Sequence, residues 1–210
     1  MKYDTIIIGA GAAGCVLAAR LSENPDRSVL LIEAGLDYPN FNSMPDDVRF
    51  SYSSPSVEEG ALNHGWGYRA KIASNFDNLL RGKLVGGSSA INCGIYLWGL
   101  PYDFDRWEKL GNTDWSWKNV EPWFKKTETD INFKDSHGIN GPITVKRYEP
   151  YEWGDLYTSF YNVCRDKGFE FCPDMNKPYA SGVGPYPLNN LYGVRISPLL
   201  SYLNPIRHRK

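Results

Sequence analysis

Long apolar runs, an excess of charge of one sign and paired cysteines are all missing from this chain of 210 residues. A helix that spans a bilayer needs about 20 consecutive apolar residues. No apolar run in the sequence approaches that length, so we expect no membrane span. The 23 Lys and Arg residues nearly balance the 24 Asp and Glu residues, for a net charge of -1. Because no overall basic field exists to hold a phosphate backbone, we expect a small-molecule ligand and no nucleic acid.

The cysteines and histidines show no spacing typical of a metal site or a redox pair. No two of the cysteines form a C-x-x-C motif, and we interpret all four as reduced, buried thiols and predict no metal. These cysteines are Cys15, Cys93, Cys164 and Cys172. The N-terminus enters a strand-like segment directly, with no apolar signal-peptide core, which predicts a cytoplasmic protein. The basic run Arg207–Lys210 is too short to indicate nucleic-acid binding.

The first 35 residues have the pattern of a β-α-β unit. Two β-branched runs, Tyr3–Ile8 and Ser28–Ile32, predict buried parallel strands. Between them Ala13, Leu17 and Leu21 recur every four residues, which predicts a helix with these side chains on one face. The chain therefore begins as an α/β protein.

A glycine-rich turn joins the first strand to this helix. Gly9, Gly11 and Gly14 form a G-x-G-x-x-G motif, in which the glycines serve a tight turn, backbone approach to a pyrophosphate and close helix packing. Glu33 follows 19 residues after Gly14 at the end of the second strand, where a carboxylate can accept both ribose hydroxyls. The pattern predicts dinucleotide binding, and the turn alone leaves NAD and FAD open. The predicted contacts here are Gly9, Gly11, Ala13, Gly14, Glu33 and Ala34.

A second glycine-rich segment follows a long irregular stretch. Residues 36–75 keep no helical or strand period and are predicted as a loop of functional size. In Arg81–Asn92, small residues and free backbone amides cluster ahead of an apolar run. Such a segment lets backbone approach a flat or anionic ligand closely, although an ordinary loop before a helix fits it too.

Together these motifs resemble the glucose-methanol-choline (GMC) oxidoreductases, a family of FAD-dependent enzymes that oxidise alcohols. The strong blocks are Asp4–Gly35 and Gly82–Trp107. Weaker blocks occur at His137-Gly138, Gly141-Pro142, Gly182–Gly184 and Gly193–Ser197. The resemblance implies a Rossmann-like FAD-binding domain, incomplete here, at residues 1–130, followed by the start of a substrate-side α+β domain at 131–210.

For the cofactor, the resemblance implies that the second segment lies along the flavin. The implied contacts are Gly82, Val85, Gly86, Gly87, Asn92, Cys93, Gly94 and Ile95. Some family members attach the flavin covalently through a histidine just before the signature asparagine, where this chain has Ile91. A non-covalent FAD is therefore implied.

For activity, the resemblance implies hydride transfer from an alcohol to flavin N5, with oxygen or another electron acceptor reoxidising the flavin. The family's catalytic histidine lies in a C-terminal half that this chain lacks, so we assign no catalytic residue and expect the chain alone to be inactive. That missing half is itself an expected partner. Two alternatives stay open, which are an FAD-containing enzyme resembling hydroxynitrile lyases and a non-catalytic flavin-binding fragment. We expect His64, His137 and His208 to be solvated or structural.

Patterns in the remaining chain predict further elements. Two amphipathic helices are expected within Asp103–Asp130, and another within Trp153–Lys167. A short strand is expected at Ile143–Val145 and a final helix near Pro198–Asn204. Pro173–Pro187 is rich in Pro, Gly and Tyr and is expected to be loop.

Overall fold

The computed structural model describes residues 2–51 and 60–209, and the chain divides into two compact units. The first unit combines Met1–Gly94 with Asn190–Lys210, and the second is Ile95–Asn189. The sequence-based boundary at residue 130 falls inside the second unit. The division differs because the last segment of the chain returns to the first unit, which a linear scan of the sequence does not reveal.

The first unit begins with the predicted β-α-β unit. Strand β1 (Thr5–Ile8) lies parallel to strand β2 (Val29–Ile32), and helix α1 (Ala12–Leu21) connects them. The order and type of the three elements are confirmed. The inward face of α1 consists of small residues, Gly14, Cys15, Ala18 and Ala19, so this helix packs closely.

The expectation that both strands are buried is wrong for most of their side chains. Only Ile7 is buried, whereas Ile6 is 58% exposed and Ile8 is 86% exposed. The reason is that, within the described residues, β1 and β2 pair only with each other. A two-stranded sheet cannot cover both of its own faces.

The stretch predicted as a loop at 36–75 contains regular structure where it is described. Helix α2 covers Asp46–Arg49, and strands β3 (Arg69–Ile72) and β4 (Asn75–Asn78) form an antiparallel hairpin. Residues 52–59 of this stretch lie outside the described residues. The local sequence has too few apolar residues to give these short elements a detectable period.

The C-terminal part of the first unit starts with a short antiparallel hairpin. Strands β7 (Asn190–Leu191) and β8 (Val194–Arg195) pair with each other. A helical segment, Leu199–Leu203, follows close to the predicted position and packs against α1.

The second unit contains the three predicted helices, α3 (Pro101–Lys109), α4 (Trp117–Thr127) and α5 (Asp155–Asp166). The predicted strand, β6 (Ile143–Val145), is also present, and it pairs in parallel with an unpredicted strand, β5 (Glu128–Asp130). The sequence did not reveal β5 because two of its three side chains are buried carboxylates.

All four cysteines are free thiols. Cys15 and Cys172 are buried as predicted, but Cys93 is exposed and Cys164 is half-buried, so the prediction is wrong for those two. No helix within residues 2–51 or 60–209 is long and apolar enough to cross a membrane.

Candidate cofactor site

Two glycines of the turn between β1 and α1 are required by the protein's own backbone. Gly9 has φ +92°, a left-handed conformation that side chains disfavour. At Gly14, a Cβ atom would lie 1.9 Å from the carbonyl oxygen of Gly9. Any larger residue would therefore force α1 away from the strand.

Gly11 differs, because nothing in the protein requires a glycine there. Its φ is -73°, and an added Cβ would meet no atom within 4 Å. It lies at the N-terminus of α1, and its position receives no side-chain cap. The structure therefore leaves open space beside uncapped backbone amides, as expected for a turn that accepts a pyrophosphate.

Glu33 lies beside this turn at the end of β2. Its Oε2 accepts a hydrogen bond from the amide of Ala10 at 2.7 Å, and its Oε1 accepts one from Gly35 at 2.9 Å. A carboxylate oxygen has a second lone pair, so both oxygens can still accept a ribose hydroxyl. Ala13 and Ala34, the other residues predicted for this part, are exposed.

The second predicted motif directly contacts the first. The amide of Gly86 donates to the carbonyl of Ala10 at 2.7 Å, and a Cβ on Gly87 would lie 2.9 Å from the Cα of Gly11. Gly86 and Gly87 both have positive φ, +97° and +55°. Residues about 75 positions apart in sequence thus form one glycine-lined surface, which the spacing of the motifs alone could not establish.

The flanks of this turn are fixed by backbone contacts. At Gly82, a Cβ would lie 2.6 Å from the carbonyl of Gly87. Val85 is buried, and its amide donates to the carbonyl of Leu36 at 2.9 Å. These two predicted residues therefore support the turn, while Gly86 and Gly87 form its surface.

The signature continues into residues whose side chains are accessible. Asn92 and Cys93 are exposed, and the Asn92 Oδ1 accepts a hydrogen bond from the amide of Gly94 at 2.9 Å. Gly94 is buried with φ +72°. Ile95, the last predicted contact, is the first residue of the second unit and is 44% exposed.

One buried residue beside the signature was absent from the predicted site. Arg195 has no exposed surface, and its guanidinium reaches the carbonyl oxygens of Ala90 and Asn92. The available signal was a lone arginine inside the short block Gly193–Ser197, which by itself does not distinguish a buried from an exposed side chain.

In the second unit, His137 belongs to a buried network of charged side chains. Its Nδ1 lies 2.7 Å from Oε1 of Glu128, and its Nε2 lies 2.9 Å from Oδ2 of Asp174. Arg147 donates to Asp130 at 2.6 Å and to Asp174 at 2.7 Å. Burial alone would lower the pKa of His137, but hydrogen bonds and charges from Asp174 and Glu128 outweigh it and raise the pKa to about 9.

This network bears on two expectations about His137. His137 is buried, so it fits the structural expectation and not the solvated one. Glu128, Asp130 and His137 bring three possible metal-ligand atoms within 4.8 Å of one another. These atoms already bond to Arg147, to the histidine ring or to the Trp98 indole, so we assign no metal to them.

The other two histidines lie in different surroundings. His64 is buried near Tyr38 and Asp47, with its Nε2 3.4 Å from Oδ2 of Asp47. His208 is exposed. Thus His64 fits the structural expectation and His208 the solvated one.

Comparison with known proteins decides between the families that could use such a site. The model of the GMC oxidoreductase family matches residues 3–210. The chain belongs to the GMC oxidoreductase family. It is 35% identical to an oxygen-dependent choline dehydrogenase of Vibrio vulnificus (99% of this chain, 37% of the relative). It is 33% identical to a 5-(hydroxymethyl)furfural oxidase of Methylovorus sp. (87% and 36%).

Solved structures give the same result for the fold of this GMC oxidoreductase chain. It superposes on pyridoxine 4-oxidase from Mesorbium loti with a TM-score of 0.85 and 31% identity, covering 100% of this chain and 41% of that one. The chain thus spans about two fifths of the length of the relatives it matches. Its fold is the FAD-binding fold of the GMC oxidoreductases, and its cofactor is FAD.

Proposed function

We propose that the complete protein oxidises the CH–OH group of an alcohol with a non-covalently bound FAD, and that this chain supplies the FAD-binding part. The first unit binds the cofactor, and the second begins the substrate-side part. The remainder of the protein supplies the catalytic base. A cytoplasmic location and the choice of oxygen or another electron acceptor stay predictions.

The observation that carries this proposal is the open space at Gly11. Gly9 and Gly14 are explained by turn geometry and packing, whereas Gly11 has a φ that any residue adopts and no neighbour to avoid. A glycine with no structural reason beside uncapped amides fits a ligand that approaches the backbone itself. The pyrophosphate of a dinucleotide is such a ligand.

The other residues fit the two ends of that cofactor. Glu33 would accept hydrogen bonds from the adenosine ribose, and its negative charge disfavours a ribose phosphate. Asn92 and Cys93, which are exposed, would contact the polar edge of the flavin. When bound, FAD supplies a hydride acceptor at N5. No atom of Ile91 is a nucleophile, so this chain offers no covalent attachment at that position.

Primary alcohols are the substrate class that the comparisons support. The named relatives refer to choline, 5-(hydroxymethyl)furfural and pyridoxine, and each of these molecules carries a CH₂OH group. The three molecules otherwise differ in charge and ring structure. We therefore propose a primary alcohol without naming one.

The described residues offer no histidine suited to deprotonate that alcohol. Both ring nitrogens of His137 face carboxylates, which holds the ring protonated, and a base must have a free nitrogen. His64 is buried beside Asp47, and His208 lies on the exposed C-terminal segment. We therefore propose that the catalytic base comes from the rest of the protein.

Anaerobic reduction of the flavin tests the proposal. The complete gene product, loaded with FAD, is mixed with primary alcohols, and the flavin absorbance near 450 nm is followed. We expect bleaching by at least one alcohol, and none for this chain alone loaded with FAD. Cleavage of a cyanohydrin without bleaching would support the lyase alternative, and FAD binding with neither reaction would support a non-catalytic role.

A further inference from the structure

Arg195 is an arginine with no exposed surface, at the end of strand β8. The hairpin that places it contains two left-handed residues, Tyr192 at φ +53° and Gly193 at φ +83°. The amide of Gly193 donates to the Asn190 side chain at 2.8 Å, which fixes the turn. The hairpin therefore delivers a rigidly placed guanidinium into the interior of the first unit.

Within the described residues, every hydrogen bond of the Arg195 side chain goes to a backbone carbonyl. Nε donates to Asn92 at 2.8 Å, and Nη1 donates to Ala90 at 2.6 Å and to Asp47 at 3.0 Å, with Val48 as a further acceptor. Nη2 is buried with no hydrogen-bond partner among the described residues. Burial lowers the pKa of Arg195 to about 10, which still leaves it charged at neutral pH.

A buried cation held only by carbonyls is a costly way to stabilise a fold. Removing a charge from water is strongly unfavourable, and well-packed apolar residues often replace such groups without loss. What apolar residues cannot do is fix the direction of several carbonyl groups at once. The geometry of the guanidinium, with donors arranged in a rigid plane, suits that task.

The carbonyls that Arg195 holds belong to the cofactor signature. Ala90 and Asn92 lie on either side of Ile91, and both of their carbonyls face Arg195 while the side chains of Asn92 and Cys93 remain exposed. The signature meets the nucleotide turn at Gly87. The half of a dinucleotide beyond its pyrophosphate therefore reaches the residues that follow Gly87.

We propose that Arg195 is a positioning residue for the flavin half of FAD, acting by fixing the backbone of Ala90–Asn92 against the Asp47–Val48 segment. It touches the backbone of the signature rather than the cofactor. The adenosine half is bound elsewhere, by Glu33 and the Gly9–Gly14 turn. This inference rests on the proposed function, because it assumes that the signature receives the flavin.

Comparing the binding of FAD with the binding of ADP separates a positioning role of Arg195 from a role in general stability. ADP uses only the nucleotide turn and Glu33, whereas FAD also uses the signature. Arg195→Met removes the charge, and Arg195→Lys keeps the charge but loses the planar set of donors. Arg165→Met is the matched control, because Arg165 also donates to a carbonyl, that of Phe169 at 2.7 Å, but is exposed and lies in the second unit.

The experiment uses the complete gene product stripped of flavin, with FAD and ADP titrated separately and the absorption spectrum and midpoint potential of bound flavin recorded. We expect both Arg195 variants to weaken FAD binding by about tenfold or more and to change ADP binding by less than about twofold. Both variants should also shift the midpoint potential of the bound flavin. Arg165→Met should change none of these quantities.

Equal losses for FAD and ADP, or no loss for either, would overturn the positioning role. So would a failure of both Arg195 variants to fold, since Arg195 would then be a residue of general stability. If the unsubstituted protein itself binds ADP but not FAD, the proposed function fails instead.

Discussion

The imidazole of His137 lies between two carboxylates, with Nδ1 2.7 Å from Glu128 and Nε2 2.9 Å from Asp174. Because carboxylates only accept hydrogen bonds, both ring nitrogens donate and the ring is a cation. Arg147 is a second buried cation, and it forms ion pairs with Asp130 and Asp174. Two cationic side chains thus face three buried carboxyl groups.

This arrangement predicts that stability falls at alkaline pH. The folded-state pKa of His137 is about 9, above the unfolded value of about 6.5. The contribution of His137 to the free energy of unfolding is therefore complete below pH 6.5. It is lost as the pH rises through 9, and its size is on the order of 3 kcal/mol. Urea unfolding of the protein and of His137→Gln at pH 6 and pH 10 measures it.

The difference in unfolding free energy between the protein and His137→Gln should be large at pH 6 and small at pH 10. His208→Gln is the control, since His208 is exposed, and it should change neither value. A difference that stays constant between the two pH values would contradict the protonated state of His137.

A second prediction separates the two glycines Gly11 and Gly14. Gly11→Ala should alter the unfolding free energy by less than about 1 kcal/mol, because its Cβ meets open space. It should weaken FAD binding about tenfold or more by occupying the position of the pyrophosphate.

Gly14→Ala should instead destabilise the protein by about 1–3 kcal/mol or more, because its Cβ collides with Gly9. Thermal melts and FAD titrations of both variants give the two numbers, and a destabilised Gly11→Ala that binds FAD normally would reverse our assignment.

A third prediction concerns the carboxylate of Glu33. Glu33→Ala should weaken FAD by about 1–3 kcal/mol, since charge-assisted hydrogen bonds to ribose hydroxyls are lost. Glu33→Gln retains one acceptor oxygen and should lose less. Calorimetric titration with FAD and with NAD tests this, and tighter binding of NAD than of FAD would oppose the cofactor assignment.

A fourth prediction follows from the side chain of Ile91, which is buried and has no nucleophilic atom. Acid precipitation of the FAD-loaded protein should release all of the flavin into the supernatant. The absorbance of pellet and supernatant near 450 nm measures the partition. A yellow pellet after washing would show a covalent link at another residue.

The sequence predicted the parts of this fold that depend on neighbouring residues. The β-α-β unit and its glycines follow from local period and turn chemistry, so β1, α1 and β2 were placed correctly. Burial was predicted less well, because a run such as Ile6–Ile8 indicates apolar character and not the number of strands that cover it. Cys93 shows the same limit, since an isolated cysteine was predicted to be buried and is exposed.

Contacts between distant segments were outside the reach of the sequence. The hydrogen-bond partners of His137 are Glu128 and Asp174, which are 9 and 37 positions away in sequence and form no motif with it. Arg195 reaches Ala90 across 105 positions. Such networks form where distant segments of the chain meet in the fold. Neither hydrophobic periodicity nor motif spacing predicts which segments meet.

The return of the chain at Asn190 gives the second unit the character of an inserted module. Its two ends lie side by side, because Ile95 and Leu188 form an antiparallel bridge and the amide of Tyr96 donates to Pro187 at 2.8 Å. A segment whose ends meet in this way can be exchanged or shortened without stretching the chain on either side. Evolution could therefore remodel residues 95–189 while the nucleotide turn and the Arg195 hairpin stayed unchanged.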